Sequence, residues 1–368
     1  MRVLWVFEAL SPQLCAVAAE LDRQADIDLQ IMSGSTLPDE IAHLAVSPVS
    51  CRSKIDWRAR VQIRGQLSAQ PYDVAHAYSS RNMANLAAAC WRLPGAPQLV
   101  GYRGTVDRLS RFDPANYLTF WHPRFSRIDC VCHATRAALS DSGIPANKLE
   151  TIWEGCDPRL LYGRPKSVLA EYGIPADAFV VGTVANARRV KGLDIMLRAA
   201  IDLSAERDLY WLVVGAIIDP LVAKLAADSR LAGRVKLIGT QASGGGFCGL
   251  FDVYVAPSRK EGLSMGIMEA MSQGVCPVVT RVGGNPELIR DGVDGIVIPP
   301  ESPEALSRAI AELRGDVAKR SGFAQSAQHR AQEVFSISAW ANRLAELYRS
   351  LAAGQQSSAD SLPARQAA

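Results

Sequence analysis

The chain has 368 residues, 48% hydrophobic and 21% charged, which excludes a disordered protein and provides enough material for two cores. A formal net charge of +3 excludes a global nucleic-acid signature. The sequence has no run of about 18 apolar residues, and its eight cysteines show neither a CxxC pair nor a zinc-ligand spacing, so free thiols in a reducing cytoplasm are expected.

The opening MRVLWVFEALSPQ lacks signal-peptide architecture and begins with a predicted strand over 2–7, followed by a helix near 13–23. Short β-rich runs follow at 27–32, 72–78, 98–104, 127–133 and 148–153, with helical patterns at 82–93 and 135–143. CRSKIDWRARVQIRG (51–65) sets Arg52, Lys54, Arg58, Arg60 and Arg64 against Asp56 alone, with Ile55, Trp57, Val61 and Ile63 interleaved. It opens a basic block, 51–140, with thirteen Lys plus Arg against five Asp plus Glu. Such a segment reads either as a solvated helix face or as a patch for a membrane surface or an anionic acceptor. DPANYLTFWHPRF (113–125) reads as a loop that shapes a binding site. EGCDPRLLYGRPK (154–166), bearing Gly and Pro, marks the expected boundary, with a first domain over 1–163.

Beyond it, apolar runs at 179–185, 209–215, 234–239, 252–258, 276–280 and 295–299 alternate with helical patterns such as 193–206 and 220–232. Strands apolar on both faces, separated by helices, predict a parallel sheet covered on both sides: a doubly wound α/β domain over 164–333. The first half repeats the theme. A last helix is predicted within 334–353, and the polar tail 354–368 has the composition of disorder.

Three pieces of the second domain follow strands and are expected at one rim, where such folds bind ligands. VANARRVKG (184–192) carries Arg188, Arg189 and Lys191 beside a helix start, which suits either a diphosphate or a solvated basic turn. EGLSMGIMEAM (261–271) opens a helix with Ser264 as the expected N-cap, freeing the amides of Met265, Gly266 and Ile267, and Gly266 is expected to leave room for a ligand. Glu261 precedes this helix. Glu269 lies inside it and leans back toward the same rim, where it can accept hydrogen bonds from a vicinal diol such as ribose or pair with Arg188 or Lys191. RVGGNPELI (281–289) adds a Gly–Gly turn and Glu287. In the first domain His76 and Arg103 fall at predicted strand ends. The one D-x-D, Asp26 to Asp28, starts a strand far from the donor rim and is rejected as a metal site.

In this order, the Lys191-Gly192 loop, the PS-x-x-EG entry, the E-x7-E pair Glu261 and Glu269, and the GG-x-x-E turn resemble the retaining GT-B glycosyltransferases of the family-4 type, the glycosyl transferases group 1. The resemblance covers 166–332. It implies two Rossmann-like domains facing each other across a cleft, with the last helix crossing back to the first domain. It further implies sugar transfer from a nucleotide-diphosphate sugar, with retention, to a saccharide or glycolipid acceptor in cell-surface polysaccharide or lipopolysaccharide assembly. By resemblance Glu269 binds the nucleotide ribose, Glu261 lies near the donor sugar, Ser264 and the backbone of Met265, Gly266 and Ile267 contact sugar and phosphate, and Lys191 neutralises the diphosphate on the loop that also carries Arg188. Arg103-Gly104 takes the place of a His-Gly in relatives, on the acceptor side with His76. No metal or other cofactor is implied, no nucleic-acid partner is expected, and the expected location is cytoplasmic, with peripheral membrane contact through 51–65.

Two departures stand out. Asn186 occupies the position of a family Arg, for which Arg188 and Arg189 are the two candidate substitutes, and FEALSPQL replaces a Gly-rich turn after the first strand. They motivate two alternatives, a catalytically impaired nucleotide-sugar-binding homologue acting as an assembly partner and a GT-B-fold nucleotide-sugar epimerase.

Overall fold

A computed structural model describes residues 1–231 and 233–360. Contacts divide the chain into two compact units, Met1–Trp153 with Ile337–Ala368, and Glu154–Ser336.

Unit 1 holds seven parallel strands, β1 (Arg2–Phe7), β2 (Asp28–Ser33), β3 (Ala45–Pro48), β4 (Val74–Ala77), β5 (Gln98–Arg103), β6 (Phe125–Cys130) and β7 (Leu149–Thr151), in the order β3-β2-β1-β4-β5-β6-β7. Its first four helices are α1 (Pro12–Asp22), α2 (Trp57–Ala69), α3 (Ser80–Ala89) and α4 (His133–Asp141). The alternation along β1 assigns the two faces. Val3, Trp5 and Phe7 pack into one core, while Leu4 and Val6 enter the other, which takes Ala59 and Ile63 of α2 and Met83 and Leu86 of α3. β3 was absent from the sequence reading because AVSP is a short, half-exposed edge strand with no apolar run to mark it.

Unit 2 holds β8 (Phe179–Val184), β9 (Leu209–Val214), β10 (Val235–Leu237), β11 (Val253–Ala256), β12 (Cys276–Thr280) and β13 (Ile296–Ile298), all parallel, in the order β10-β9-β8-β11-β12-β13. Its helices are α5 (Leu193–Asp202), α6 (Pro220–Ala226), α7 (Met265–Ser272), α8 (Asn285–Leu288), α9 (Pro303–Gly315) and α10 (Val317–Val334). Val181, Trp211, Val213, Val255 and Val278 of the sheet share a core with Met196 of α5 and with Leu306 and Ile310 of α9.

The division at 153/154 lies ten residues before the one drawn from sequence, because the supposed linker packs on unit 2. The Cys156 amide donates to the Phe335 carbonyl at 2.8 Å, and the Arg164 amide donates to the Gly246 carbonyl at 3.2 Å. α11 (Ile337–Asp360) belongs to unit 1, where Trp340, Leu344 and Tyr348 pack in the core shared with α1. The helix runs to Asp360, so the first seven residues of the expected tail 354–368 are helical, while residues 361–368 lie outside the described residues. No helix among the described residues is long and apolar enough to cross a membrane.

Candidate functional site

The strand order of unit 2 reverses between β8 and β11. A cavity of about 360 Å³ opens at their carboxyl ends, lined by residues 183–186 at the end of β8, by residues 256–258 at the end of β11 and by the start of α7. A switch point of this kind is where a doubly wound sheet splays its loops apart and admits a ligand.

The cavity gathers Arg188, Lys191, Glu261, Ser264, Met265, Gly266 and Glu269. Lys191 Nζ donates to both oxygens of Glu261, at 3.0 and 2.7 Å, and Ser258 Oγ donates to Glu261 Oε2 at 3.1 Å. Glu269 therefore does not pair with Lys191 or Arg188; its carboxylate has no hydrogen-bonding partner among the described residues, and burial pushes it up to about 7. The backbone of Gly245 lies against it, and a Cβ there would sit 2.7 Å from Cδ. Arg188 is exposed, and its guanidinium has no carboxylate partner among the described residues.

The loop that presents these cations is held from behind. Arg259 donates to Asp194 Oδ1 and Oδ2 at 2.6 and 2.8 Å, to Glu301 Oε2 at 2.9 Å and to the Arg189 carbonyl at 2.8 Å. Gly192 has φ +66°, and a Cβ would meet the Pro257 carbonyl oxygen at 2.0 Å, so only glycine lets the loop lie on the end of β11. Gly283, at φ +51°, approaches the Glu261 carbonyl just as closely, so the Gly–Gly turn braces the Glu261 segment from outside and does not line the cavity.

Family comparison divides along the same lines. Residues 178–316 match the model described as Glycosyl transferases group 1, and residues 15–160 match Glycosyltransferase Family 4. The chain belongs to glycosyltransferase family 4. Among curated proteins this family-4 chain is 32% identical over 190 residues to the lipopolysaccharide core biosynthesis mannosyltransferase LpcC of Rhizobium leguminosarum bv. viciae, covering 50% of this chain and 54% of that protein. It is 29% identical over 218 residues to the D-inositol 3-phosphate glycosyltransferase of Thermobispora bispora, covering 55% of this chain and 51% of that one. The chain thus spans about half the length of these relatives. Among solved structures it resembles HepE of Anabaena in complex with UDP, with TM-score 0.79 and 21% identity over 95% of this chain and 100% of that one, a likeness of fold. The fold is GT-B: two Rossmann-like α/β units.

Within the family-4 chain several residues serve otherwise than their sequence context suggests. Ser264 occupies the N-cap position of α7, but its side chain does not cap it; the first-turn amides of α7 still lack intrahelical acceptors. Gly266 lines the cavity, but the space a side chain there would take is filled by Tyr254: a Cβ would sit 2.3 Å from its Oη, so the glycine is required by this packing. Ile267 is fully buried, so any role at the cavity falls to its backbone. Asn186 Oδ1 accepts from the Ala216 amide at 3.0 Å and so fastens its loop. Of the two arginines left open as a substitute at that position, Arg188 lines the cavity and Arg189 does not.

In unit 1, His76 is fully buried and is not an accessible acceptor-side residue. Its Nδ1 is 2.8 Å from Tyr348 Oη, which also accepts from Trp5 Nε1 at 2.8 Å, and burial lowers its pKa to about 3, so the ring is neutral. Arg103 is committed to its own loop, donating from Nε to the Thr105 carbonyl at 3.1 Å and from Nη2 to the Asp107 carbonyl at 2.8 Å while lying over the Phe120 ring. Asp26 and Asp28 pair separately with Arg349 and Arg2. Sequence reasoning missed Arg259 and Gly245, and had Ser258 only as part of the PS-x-x-EG entry, without its bond to Glu261. Their only local signals are the PSRK tetrapeptide and the GGG run, neither of which names a long-range partner.

Proposed function

We propose that this family-4 chain transfers a sugar, with retention, from a nucleoside-diphosphate sugar to a saccharide or glycolipid acceptor in cell-surface polysaccharide or lipopolysaccharide assembly. The observation that carries the reading is the unpaired Glu269 carboxylate in a switch-point cavity that also presents two cations and a helix start. Glu269 is half-buried, and a carboxylate so desolvated without a partner is costly; the hydroxyls of a ribose relieve that cost by donating to it.

The diphosphate then meets Arg188 first, because Lys191 is engaged by Glu261. Phosphate oxygens draw Lys191 partly away, and Glu261, still held by Ser258, turns an oxygen toward the hydroxyls of the donor sugar. As the glycosidic bond breaks, negative charge grows on the leaving phosphate and is stabilised by these cations and by the α7 amides, which are in place before the reaction. The same charges do the neutralising work of a bound cation, so turnover is expected to survive chelation with EDTA. A peripheral membrane contact through 51–65 belongs to the same reading, supported by the exposed Ile55 and Trp57 beside the basic residues, as does a cytoplasmic location, supported by eight free thiols.

Calorimetry with UDP, GDP, ADP and their sugars tests the proposal. One nucleotide series should bind the wild type and bind Lys191→Ala and Glu269→Gln at least tenfold more weakly. Unchanged affinity in both variants would remove the cavity from consideration. NMR of the product anomer against the donor anomer tests retention.

A further inference from the structure

We propose that the acceptor is anionic and that Arg52 and Arg58 hold its carboxylate or phosphate in a second cavity, on the carboxyl rim of the unit 1 sheet. This rests on the glycosyltransferase reading above and names the class of acceptor.

The location follows from strand register. β1, β2 and β3 are parallel neighbours that end at Phe7, Ser33 and Pro48. Their ends are tied together, since the Gly34 amide donates to the Phe7 carbonyl at 3.3 Å and the Val49 amide donates to the Ser33 carbonyl at 3.0 Å. Just beyond lies a cavity of about 530 Å³ whose walls include Gly34, Ser50, Arg52, Asp56, Arg58 and Gln62. That volume falls within the roughly 300–1,000 Å³ of small-molecule sites, and the carboxyl rim is where doubly wound sheets take ligands.

The charge pattern selects the ligand. The two carboxylates nearby are consumed in shaping the loop. Glu8 accepts from the Cys51 amide at 2.7 Å and from Ser50 Oγ at 3.3 Å. Asp56 accepts from the Arg52 amide at 3.0 Å and from the Ala59 amide at 3.2 Å. The arginines of this segment divide into two kinds. Arg60 donates to Asn85 Oδ1 at 3.2 Å and to the Lys54 carbonyl at 3.4 Å, and Arg64 donates to the Ala89 and Trp91 carbonyls at 2.8 Å each; both fasten α2 to its neighbours. Arg52 and Arg58 line the cavity, are exposed, and have no side-chain acceptor among the described residues. Two guanidinium forks with no hydrogen-bonded acceptor among the described residues face a single carboxylate, Asp56, which lies near Arg52 and is already bound to backbone amides, so the cavity keeps an excess of positive charge. That suits a planar carboxylate or a phosphate, and gives a neutral sugar no comparable hold.

The test titrates the full chain with glucose 6-phosphate, glucuronate and neutral glucose, follows binding by NMR, and sediments it with phosphatidylglycerol and phosphatidylcholine vesicles. The expected result is binding of both anionic sugars and not of glucose, weakened by salt and reduced at least tenfold in R52A/R58A. The charge-matched R108A/R111A, with Arg108 paired to Asp141 elsewhere in unit 1, should change it less than twofold. Nucleotide affinity, measured on the same samples, should be the same in R52A/R58A as in the wild type, which also shows that the variant is folded. Anion binding that survives in R52A/R58A, or glucose binding as tight as that of the anions, would overturn the proposal. So would association with phosphatidylglycerol vesicles unaccompanied by any response to the soluble anions, since the arginines would then contact a bilayer. Absence of nucleotide binding in the wild type would instead strike the donor-site reading.

Discussion

Replacing Glu269 with glutamine removes the charge and keeps the shape. Burial raises this carboxyl from 4.5 to about 7. The folded chain therefore retains a proton that the unfolded chain releases near 4.5, and stability present below that pH is lost progressively as pH rises through about 7. The shift corresponds to about 3 kcal/mol lost above pH 7 relative to pH 4. Part of it is offset in the variant by the desolvated amide, so Glu269→Gln should melt roughly 3–6 °C above wild type at pH 8 and within a degree or two of it at pH 4.5. Ligand affinity should move the opposite way. If the ionised form clasps the ribose, wild-type affinity for a nucleotide sugar weakens about tenfold between pH 8 and pH 6, and the variant binds more weakly with no such slope. Using the nucleotide sugar avoids the second ionisation of a free diphosphate. Differential scanning calorimetry and titration calorimetry across the pH series provide both readouts. A variant that melts below wild type at pH 8 and keeps the wild-type pH slope in binding would refute the reasoning, since Glu269 would then be a structural partner.

Arg188→Ala should weaken nucleotide binding about tenfold and Arg189→Ala less than twofold, because only the former lines the cavity; equal losses would mean that the loop acts through net charge. Arg259→Ala leaves Asp194, 9% exposed at its side chain, without its bidentate partner, and chemical denaturation should show a loss of about 3 kcal/mol with weaker nucleotide binding as the loop loosens. Gly266→Ala should destabilise by about 1–3 kcal/mol through the contact with Tyr254 Oη, and Tyr254→Phe in the same chain should recover part of it; a purely additive double-mutant cycle would count against that contact.

Much of the fold was legible because parallel strands buried on both faces leave continuous apolar runs. FVVGTV, LYWLVV and CPVVT announce β8, β9 and β12 with nothing else required, whereas AVSP, an edge strand exposed at both ends, has no such mark. The residues of the unit 2 cavity were legible for a related reason. In a doubly wound sheet the loops after strands converge on one rim, so locating β8, β11 and α7 in sequence also locates Arg188, Lys191, Glu261 and Glu269.

By itself, then, the sequence determined the strand–helix succession and the set of charged groups delivered to the unit 2 rim. Tertiary structure alone decided which of them are engaged. Lys191 is taken by Glu261 across seventy positions, and Glu269, close by in sequence, is left without a partner. His76 sits at a strand end as expected but is sealed by Tyr348, 272 positions away on α11, and Arg60 and Arg64 are tied down while Arg52 and Arg58 are not. The physical reason is common to all of these. Apolar periodicity is a local property of the chain, but the acceptor that satisfies a charged group is a backbone carbonyl or carboxylate brought beside it only when distant loops have packed.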